Sequence, residues 1–240
     1  MKRPVYIMGD VHGKWEHIID AAPSMNHGWR NKSLLLQVGD FGLGFCGPRV
    51  EDRELNELNK ALAENYVELW VIRGNHDDPS RFDGEHIRSN IRTLKDYTVE
   101  IINDETYLFV GGALSIDRAQ RLEGRSWWED ERMILLPESE WNDLAGAFDV
   151  VVTHMAPPQG PPILRGRKSM AVTMAALSDA ELVNDLETEN KNMGILYDRV
   201  CEFKKPRAWY YGHFHESANV EVEGTHFYLL DIDEIRRADK

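Results

Sequence analysis

Short apolar runs, each stopped by Gly or a polar residue, recur along the chain at residues 5–8, 34–38, 69–72, 107–110, 150–153 and 209–211. Runs of this length bounded by turn formers predict strands buried on both faces. Between several of them lie amphipathic stretches. In residues 51–66, Leu55, Leu58 and Leu62 share one helical face while acidic and amide side chains take the other. A second helix is predicted over 137–148, where Pro137 and the acids after it suit a first turn. A third runs from 178 towards 203, with Ser178 and Glu181 in capping-box spacing. Strand and helix therefore alternate. That order predicts an α/β chain with a largely parallel sheet covered by helices and functional loops at the strand ends. Residues 99–102, 220–222 and 226–230 predict further strands, which form a second sheet.

Two segments, 111–133 and 156–168, show no regular period. Pro and Gly density makes the second a loop. Irregular segments of this length inside a domain are usually functional or mobile. There is no internal repeat and no low-complexity tract, and 240 residues suit one domain spanning 1–240.

Charge and cysteine content narrow the classes. A formal net charge of −13 opposes stable nucleic-acid binding, which needs a basic face to neutralise phosphates. It does not oppose a phosphorylated substrate, because bound divalent cations offset acid locally. Cys46 and Cys201 are the two cysteines, far apart, and both read as free thiols in a reducing compartment. The first ten residues hold too short an apolar stretch for a secretory signal, and no run is long enough to cross a bilayer. The expectation is a cytoplasmic protein without a membrane partner.

The chemistry sits where the predicted strands end. Gly9-Asp10-Val11-His12-Gly13 puts a carboxylate and an imidazole two residues apart on an extended turn, where both can reach one cation. Gly39-Asp40-Phe41-Gly42 follows the second strand and Gly74-Asn75-His76-Asp77 the third. Glycine there lets the backbone turn tightly and approach a ligand. The run 150–153 leads straight into His154, and 209–211 into Gly212-His213-Phe214-His215. Taken singly, Asp10 or Asp40 reads as a helix cap and His154 as a core histidine. Taken together, five strand ends deliver metal-ligand side chains towards one edge.

This ordered set, from Gly9 to His215, resembles the calcineurin-like metallophosphoesterases. The resemblance implies a layered sandwich of two mixed, largely parallel sheets flanked by helices. It also implies two divalent cations, with Asp10, His12 and His215 on one, Asn75, His154 and His213 on the other, and Asp40 bridging. Mixed nitrogen and oxygen ligands suit Mn, Fe or Zn better than Ca, and Mn is the expected ion. Two such ions about 3.5–4 Å apart hold a bridging hydroxide and offset charge on the entering and departing oxygens. The implied reaction is hydrolysis of a phosphomonoester or phosphodiester on a small-molecule, protein or nucleotide substrate. His76 is implied as proton donor to the leaving oxygen or as a stabiliser of the pentavalent phosphorus. The alternatives are a non-catalytic scaffold that keeps the fold, or a nuclease-type phosphodiesterase. Retention of all seven ligand positions and His76 argues for catalysis, since a scaffold needs none of them.

The chain departs from the protein Ser/Thr phosphatases of that family, whose second motif continues GD-x-x-D-R-G. Leu43 and Gly44 stand at the last Asp and Arg positions. Phosphate-binding arginines must come from elsewhere, and Arg118, Arg121 and Arg125 in the first irregular segment are the candidates, with Arg165 and Arg167 in the second. Trp127 and Trp128 are candidates for an aromatic wall. Arg73, just before Gly74, reads as a structural anchor. Oligomeric state has no signal in the sequence.

Overall fold

The computed structural model describes residues 2–28, 30, 32–144, 146–161 and 170–238. Each apolar run named above lies largely within a strand. In chain order the elements are β1 (Val5–Met8), α1 (Glu16–Ala21), β2 (Ser33–Gln37), α2 (Pro48–Glu64), β3 (Val67–Val71), β4 (His86–Arg88), β5 (Ile91–Thr93) and β6 (Thr98–Ile102). There follow β7 (Glu105–Val110), α3 (Glu138–Leu144), β8 (Val150–Thr153), α4 (Met170–Ala175), α5 (Leu182–Cys201), β9 (Ala208–Tyr211), β10 (Ala218–Val222), β11 (Thr225–Leu229) and β12 (Ile235–Arg237).

The strands make two six-stranded sheets, ordered β12-β1-β2-β3-β5-β4 and β10-β11-β9-β8-β7-β6. Each has four parallel strands in the middle and an antiparallel strand on either edge. Strand side chains alternate between faces, so one face of each sheet meets the other sheet and the opposite face meets helices. Val5, Ile7, Leu34 and Leu36 of the first sheet pack with Tyr107, Phe109, Val150 and Val152 of the second. On the outer face of the first sheet, Leu35, Leu69 and Val71 meet Leu55, Leu58 and Leu62 of α2. On the outer face of the second, Leu108, Val151 and Trp209 meet Met193, Leu196 and Val200 of α5. Burying each of these leucines is worth about 2 kcal/mol, which is why the leucine face of α2 docks while its acidic face stays wet. The result is a layered α/β sandwich of two mixed, mostly parallel sheets with flanking helices.

The helix predicted from 178 begins later. Asp179 does the capping: its Oδ1 accepts from the backbone N–H of Glu181 at 3.2 Å and of Leu182 at 3.1 Å. The Ser178 hydroxyl instead donates to Ala175 O at 3.0 Å, closing the turn after α4. The capping-box reading is thus corrected, because Ser178 still belongs to the preceding turn. Sequence pattern also passed over α1, α4, β4, β5 and β12. These elements have three to six residues and carry charged or mixed side chains, so no periodicity marks them. Arg165, Arg167 and most of the 156–168 segment lie outside the described residues. No helix among the described residues is long and apolar enough to cross a membrane.

Candidate metal centre

The loops after β1, β2, β3, β8 and β9 meet at one rim of the sandwich and carry Asp10, His12, Asp40, Asn75, His76, His154, His213 and His215. Four of these residues hold left-handed backbone: His12 at φ 48°, Asp40 at 57°, His213 at 72° and His215 at 51°. Each costs on the order of 1 kcal/mol or more, and such strain persists only where surrounding contacts enforce it. The turns close on themselves, since the backbone N–H of His12 donates to Asp40 O at 2.8 Å and that of Gly13 to Phe41 O at 3.0 Å. Close approach to the carboxylates makes glycine necessary at Gly74 and Gly212. A Cβ on Gly74 would strike Asp40 Oδ1, and one on Gly212 would strike Asp10 Oδ1.

Asp10, His12, Asp40 and His215 each offer a ligand atom, and these atoms lie within 4.8 Å of one another. His12 Nε2 and His215 Nε2 are 2.9 Å apart, and His215 Nε2 is 3.3 Å from Asp10 Oδ2. The other three predicted ligands converge beside them. Asn75 Oδ1 is 3.1 Å from His154 Nε2 and 2.9 Å from His213 Nδ1. Asp40 stands between the groups, with Oδ1 3.2 Å from His154 Nε2 and Oδ2 3.7 Å from His12 Nδ1. Backbone N–H groups hold both carboxylates: His76 donates to Asp40 Oδ1 at 2.7 Å, and His213 donates to Asp10 Oδ2 at 3.1 Å.

The donor set fits a cation. Asp10 is fully buried and Asp40 is 1% exposed, yet among the described residues neither is paired with a Lys or Arg. Two buried carboxylates without a basic partner other than histidine are costly unless positive charge is supplied. His154 makes the same demand. Its Nδ1 lies 2.8 Å from Val38 O, a carbonyl that can only accept, so Nδ1 carries the hydrogen. Nε2 then points a lone pair at Asp40 Oδ1 and Asn75 Oδ1, two further acceptors. Three lone pairs facing one point call for a proton or a metal ion. Burial opposes charge on His154, but Asp40 and Asp10 outweigh it and raise its pKa to about 9. His213, half-buried and beside His154, is pushed down to about 3 by burial of its ring and by the His154 charge. Asp40 is held well below the usual carboxylate range; burial works against this, and His154, His76 and His12 overcome it.

His76 sits at the edge of this cluster. Its ring stacks on Phe45 with centroids 5.5 Å apart and meets His12 edge-on at 4.9 Å. Among the described residues no carboxylate hydrogen-bonds to its ring. Instead, Arg121 Nη1 lies 3.1 Å from Nδ1 and Arg121 Nη2 lies 3.1 Å from Nε2. Burial, partly offset by Asp40 and reinforced by Arg121, takes the His76 pKa to about 4.

The four substrate-side candidates separate in space. Asp117 accepts from Arg121 Nε at 2.7 Å and so holds that guanidinium over His76. Arg118 is spent elsewhere, in a 2.5 Å ion pair with Asp179 and a 2.7 Å pair with Asp185, which tie the 111–133 segment to α5. These pairs already engage its donors on two half-buried carboxylates. Arg125 is exposed and closes a turn through its backbone N–H on Leu122 O at 3.1 Å. Trp127 has its buried indole N–H near the Glu131 carboxylate without a well-formed hydrogen bond. The aromatic neighbour of His76 is Phe45, backed edge-on by Trp128 at 5.3 Å.

Several residues of the centre had no separate signal. Gln37, buried at the end of β2, accepts from Gly39 N at 3.0 Å and donates to Gly9 O at 3.2 Å, joining the first two motif loops. Asp77 turns away from His76. Its carboxylate accepts four backbone N–H groups, from Phe41 at 3.1 Å, Gly42 at 2.7 Å, Leu43 at 3.0 Å and Gly74 at 2.8 Å. Burial and Asp40 push its pKa up to about 7 against those donors. Asp77→Ala leaves all four donors enclosed without an acceptor. It is expected to lower the unfolding free energy by about 2–4 kcal/mol, read as an earlier denaturant midpoint at unchanged slope. A change below about 0.5 kcal/mol, the range of an ordinary surface substitution, would contradict the anchoring role.

A two-sheet α/β sandwich with a carboxylate and imidazole cluster at its strand ends is the architecture of a metallophosphoesterase. The model of the family described as calcineurin-like phosphoesterase matches residues 3–217, and the chain belongs to that family. Solved structures resembling it include a Thermus thermophilus protein, at 11% identity and TM-score 0.48, covering 97% of this chain and 90% of that one. Another is the phosphopantetheinyl hydrolase of Mycobacterium tuberculosis, at 12% identity and TM-score 0.49, covering 96% of this chain and 90% of that one. A third is a Staphylococcus aureus protein described as a putative 5′-nucleotidase, at 12% identity and TM-score 0.42, covering 95% of this chain and 48% of that one. No curated protein matches the chain. Residues beyond the family match complete the rim: Gly9 N donates to Glu234 O at 2.9 Å, and Asp233 N to Asp10 O at 2.9 Å.

Proposed function

We propose that this protein is a hydrolase of phosphomonoesters or phosphodiesters that works with two divalent cations. Asp10, His12 and His215 hold one ion, Asn75, His154 and His213 the other, and Asp40 offers an oxygen to each. The observation carrying this reading is the pair of buried carboxylates met by the imidazoles of His12, His154 and His215 and by no Lys or Arg among the described residues. When bound, such ions supply the positive charge that polarises a phosphoryl group and activates water. The nitrogen and oxygen ligands favour Mn, with Fe or Zn as the other fitting ions.

The remaining roles fall to the chain itself. Arg121, tethered by Asp117, is the phosphate-binding guanidinium closest to the cluster. A phosphate that draws Arg121 away removes one of the charges that depress the His76 pKa, so the imidazole takes up a proton from solvent and passes it to the leaving oxygen. Phe45, stacked against the imidazole, limits its tilt. The substrate is a phosphorylated small molecule, protein or nucleotide in the cytoplasm. A net charge of −13 sets this reading against a nuclease that grips many phosphates.

The purified protein is expected to take up two transition-metal ions and, with Mn²⁺, to hydrolyse p-nitrophenyl phosphate or bis-p-nitrophenyl phosphate. Comparing the two rates separates monoesterase from diesterase. No turnover of either ester at full metal occupancy would favour the scaffold.

A further inference from the structure

Asn75 is the one proposed ligand that, flipped, would present a hydrogen-bond donor in place of its ligand oxygen, because a planar amide has oxygen on one side and NH₂ on the other. Only the oxygen can bind a cation. In a polar pocket something must choose between the two orientations, and the structure contains such a device. Asn75 Nδ2 donates to Ser115 Oγ at 3.0 Å. The Ser115 hydroxyl donates in turn to Glu131 Oε2 at 2.9 Å, while the Ser115 backbone N–H donates to Glu131 Oε1 at 2.6 Å. The three residues are 3%, 2% and 1% exposed, so water does not compete for these bonds.

The direction of each bond follows from the carboxylate. Glu131 accepts, so the Ser115 hydroxyl must give it a hydrogen. The lone pair left on Ser115 Oγ then faces Asn75 and takes an N–H. Asn75 is thereby turned with Oδ1 towards His154 and His213. Glu131 itself is fixed from below by Arg73, the residue two before Asn75. Arg73 donates to Asp130 O at 3.1 Å, Glu131 O at 2.7 Å and Arg132 O at 3.0 Å, and pairs with Asp96 at 2.7 Å. The circuit closes through both ends of the 111–133 segment.

We propose that Ser115 and Glu131 are positioning residues that orient the Asn75 amide, and that one of the two metal positions therefore depends on the irregular segment that also carries Arg121. This rests on the reading that Asn75 binds metal. Losing an outer partner of a metal ligand typically weakens that metal 10–100-fold. The effect should fall on the Asn75 position and spare the one built from Asp10, His12 and His215.

The experiment is Mn²⁺ titration of the metal-free full chain, followed by calorimetry and by the electron paramagnetic resonance of the ion. Ser115→Ala and Glu131→Gln are expected to weaken one of two binding steps by about 10–100-fold and leave the other unchanged. Ser115→Thr, which keeps the hydroxyl, is expected to stay within about threefold of the wild type at both, well short of that loss. Melting in chelator checks that each variant folds, and Glu131→Gln carries the same expectation if Ser115→Ala does not. Wild-type affinity at both steps in Ser115→Ala and Glu131→Gln overturns the proposal. So does equal weakening of both steps, which is the mark of a general structural defect. A wild-type chain that binds no Mn²⁺ overturns the metal reading itself, and this inference with it.

Discussion

Asp40→Asn is expected to lose both metal ions and all measurable turnover, while the chain still folds in chelator. The amide has nearly the shape of the carboxylate, tolerates the left-handed φ of 57°, and can still accept the 2.7 Å bond from His76 N. What disappears is charge. With the amide oxygen on His76 N, its NH₂ occupies the place of Oδ2, and a group that only donates replaces an oxygen facing His12. Because Asp40 faces both ligand groups, a single substitution should weaken each ion by more than about 100-fold, exceeding the loss of an outer partner. In the metal-free protein the change also removes the carboxylate that raises the His154 pKa, so stability in chelator is expected to fall as that buried pair is lost. The measurement is a pair of melting curves, one in chelator and one in Mn²⁺. Wild type should gain stability with metal as RT ln(1 + [L]/Kd) requires, and the variant should gain none. Two ions bound at wild-type affinity by Asp40→Asn would defeat the bridging role.

How much of this centre was legible from the chain depends on how local each signal is. Asp10, His12, Asp40, Asn75, His154, His213 and His215 could be named because each lies within four residues of the end of an apolar strand, flanked in most cases by Gly. The parallel order of the strands then brings those ends together, so a one-dimensional pattern becomes a three-dimensional cluster. Gln37 was hidden for the opposite reason, as a polar residue closing an apolar run, where its bonds to two loops leave no trace in the pattern. Ser115 and Glu131 are 16 residues apart in a stretch without periodicity, and nothing there distinguishes Glu131 from Glu129. Arg118 and Arg121 are the same residue type three positions apart. Which of them meets His76 is decided by where Asp117, Asp179 and Asp185 lie in space. β4, β5 and β12 were missed because short strands draw their stability from neighbours already in place rather than from their own composition.

His76→Ala separates chemistry from metal binding. The imidazole is not part of either ligand group; it reaches the cluster through its backbone N–H on Asp40 and through ring contacts with His12 and Phe45. Alanine keeps that backbone bond, so metal content is expected to stay at the wild-type value while kcat falls about 10²–10⁴-fold, the range for losing a positioned acid. The size of the loss should depend on the leaving group. p-Nitrophenolate departs with little help, whereas an alkoxide must be protonated as it leaves. A proton donor at position 76 therefore predicts a small deficit on the nitrophenyl ester and a deficit at least about tenfold larger on an alkyl phosphate. If His76 instead only offsets charge on the pentavalent phosphorus, both substrates lose the same factor, because that charge is common to both transition states. Arg121 sharpens the distinction. In His76→Ala the guanidinium loses its stacking partner but keeps Asp117, so phosphate binding persists and the damage should appear in kcat far more than in KM. Loss of metal from His76→Ala comparable to that from Asp40→Asn would mean that the imidazole supports the ions themselves, and the division of roles between the two residues would fall.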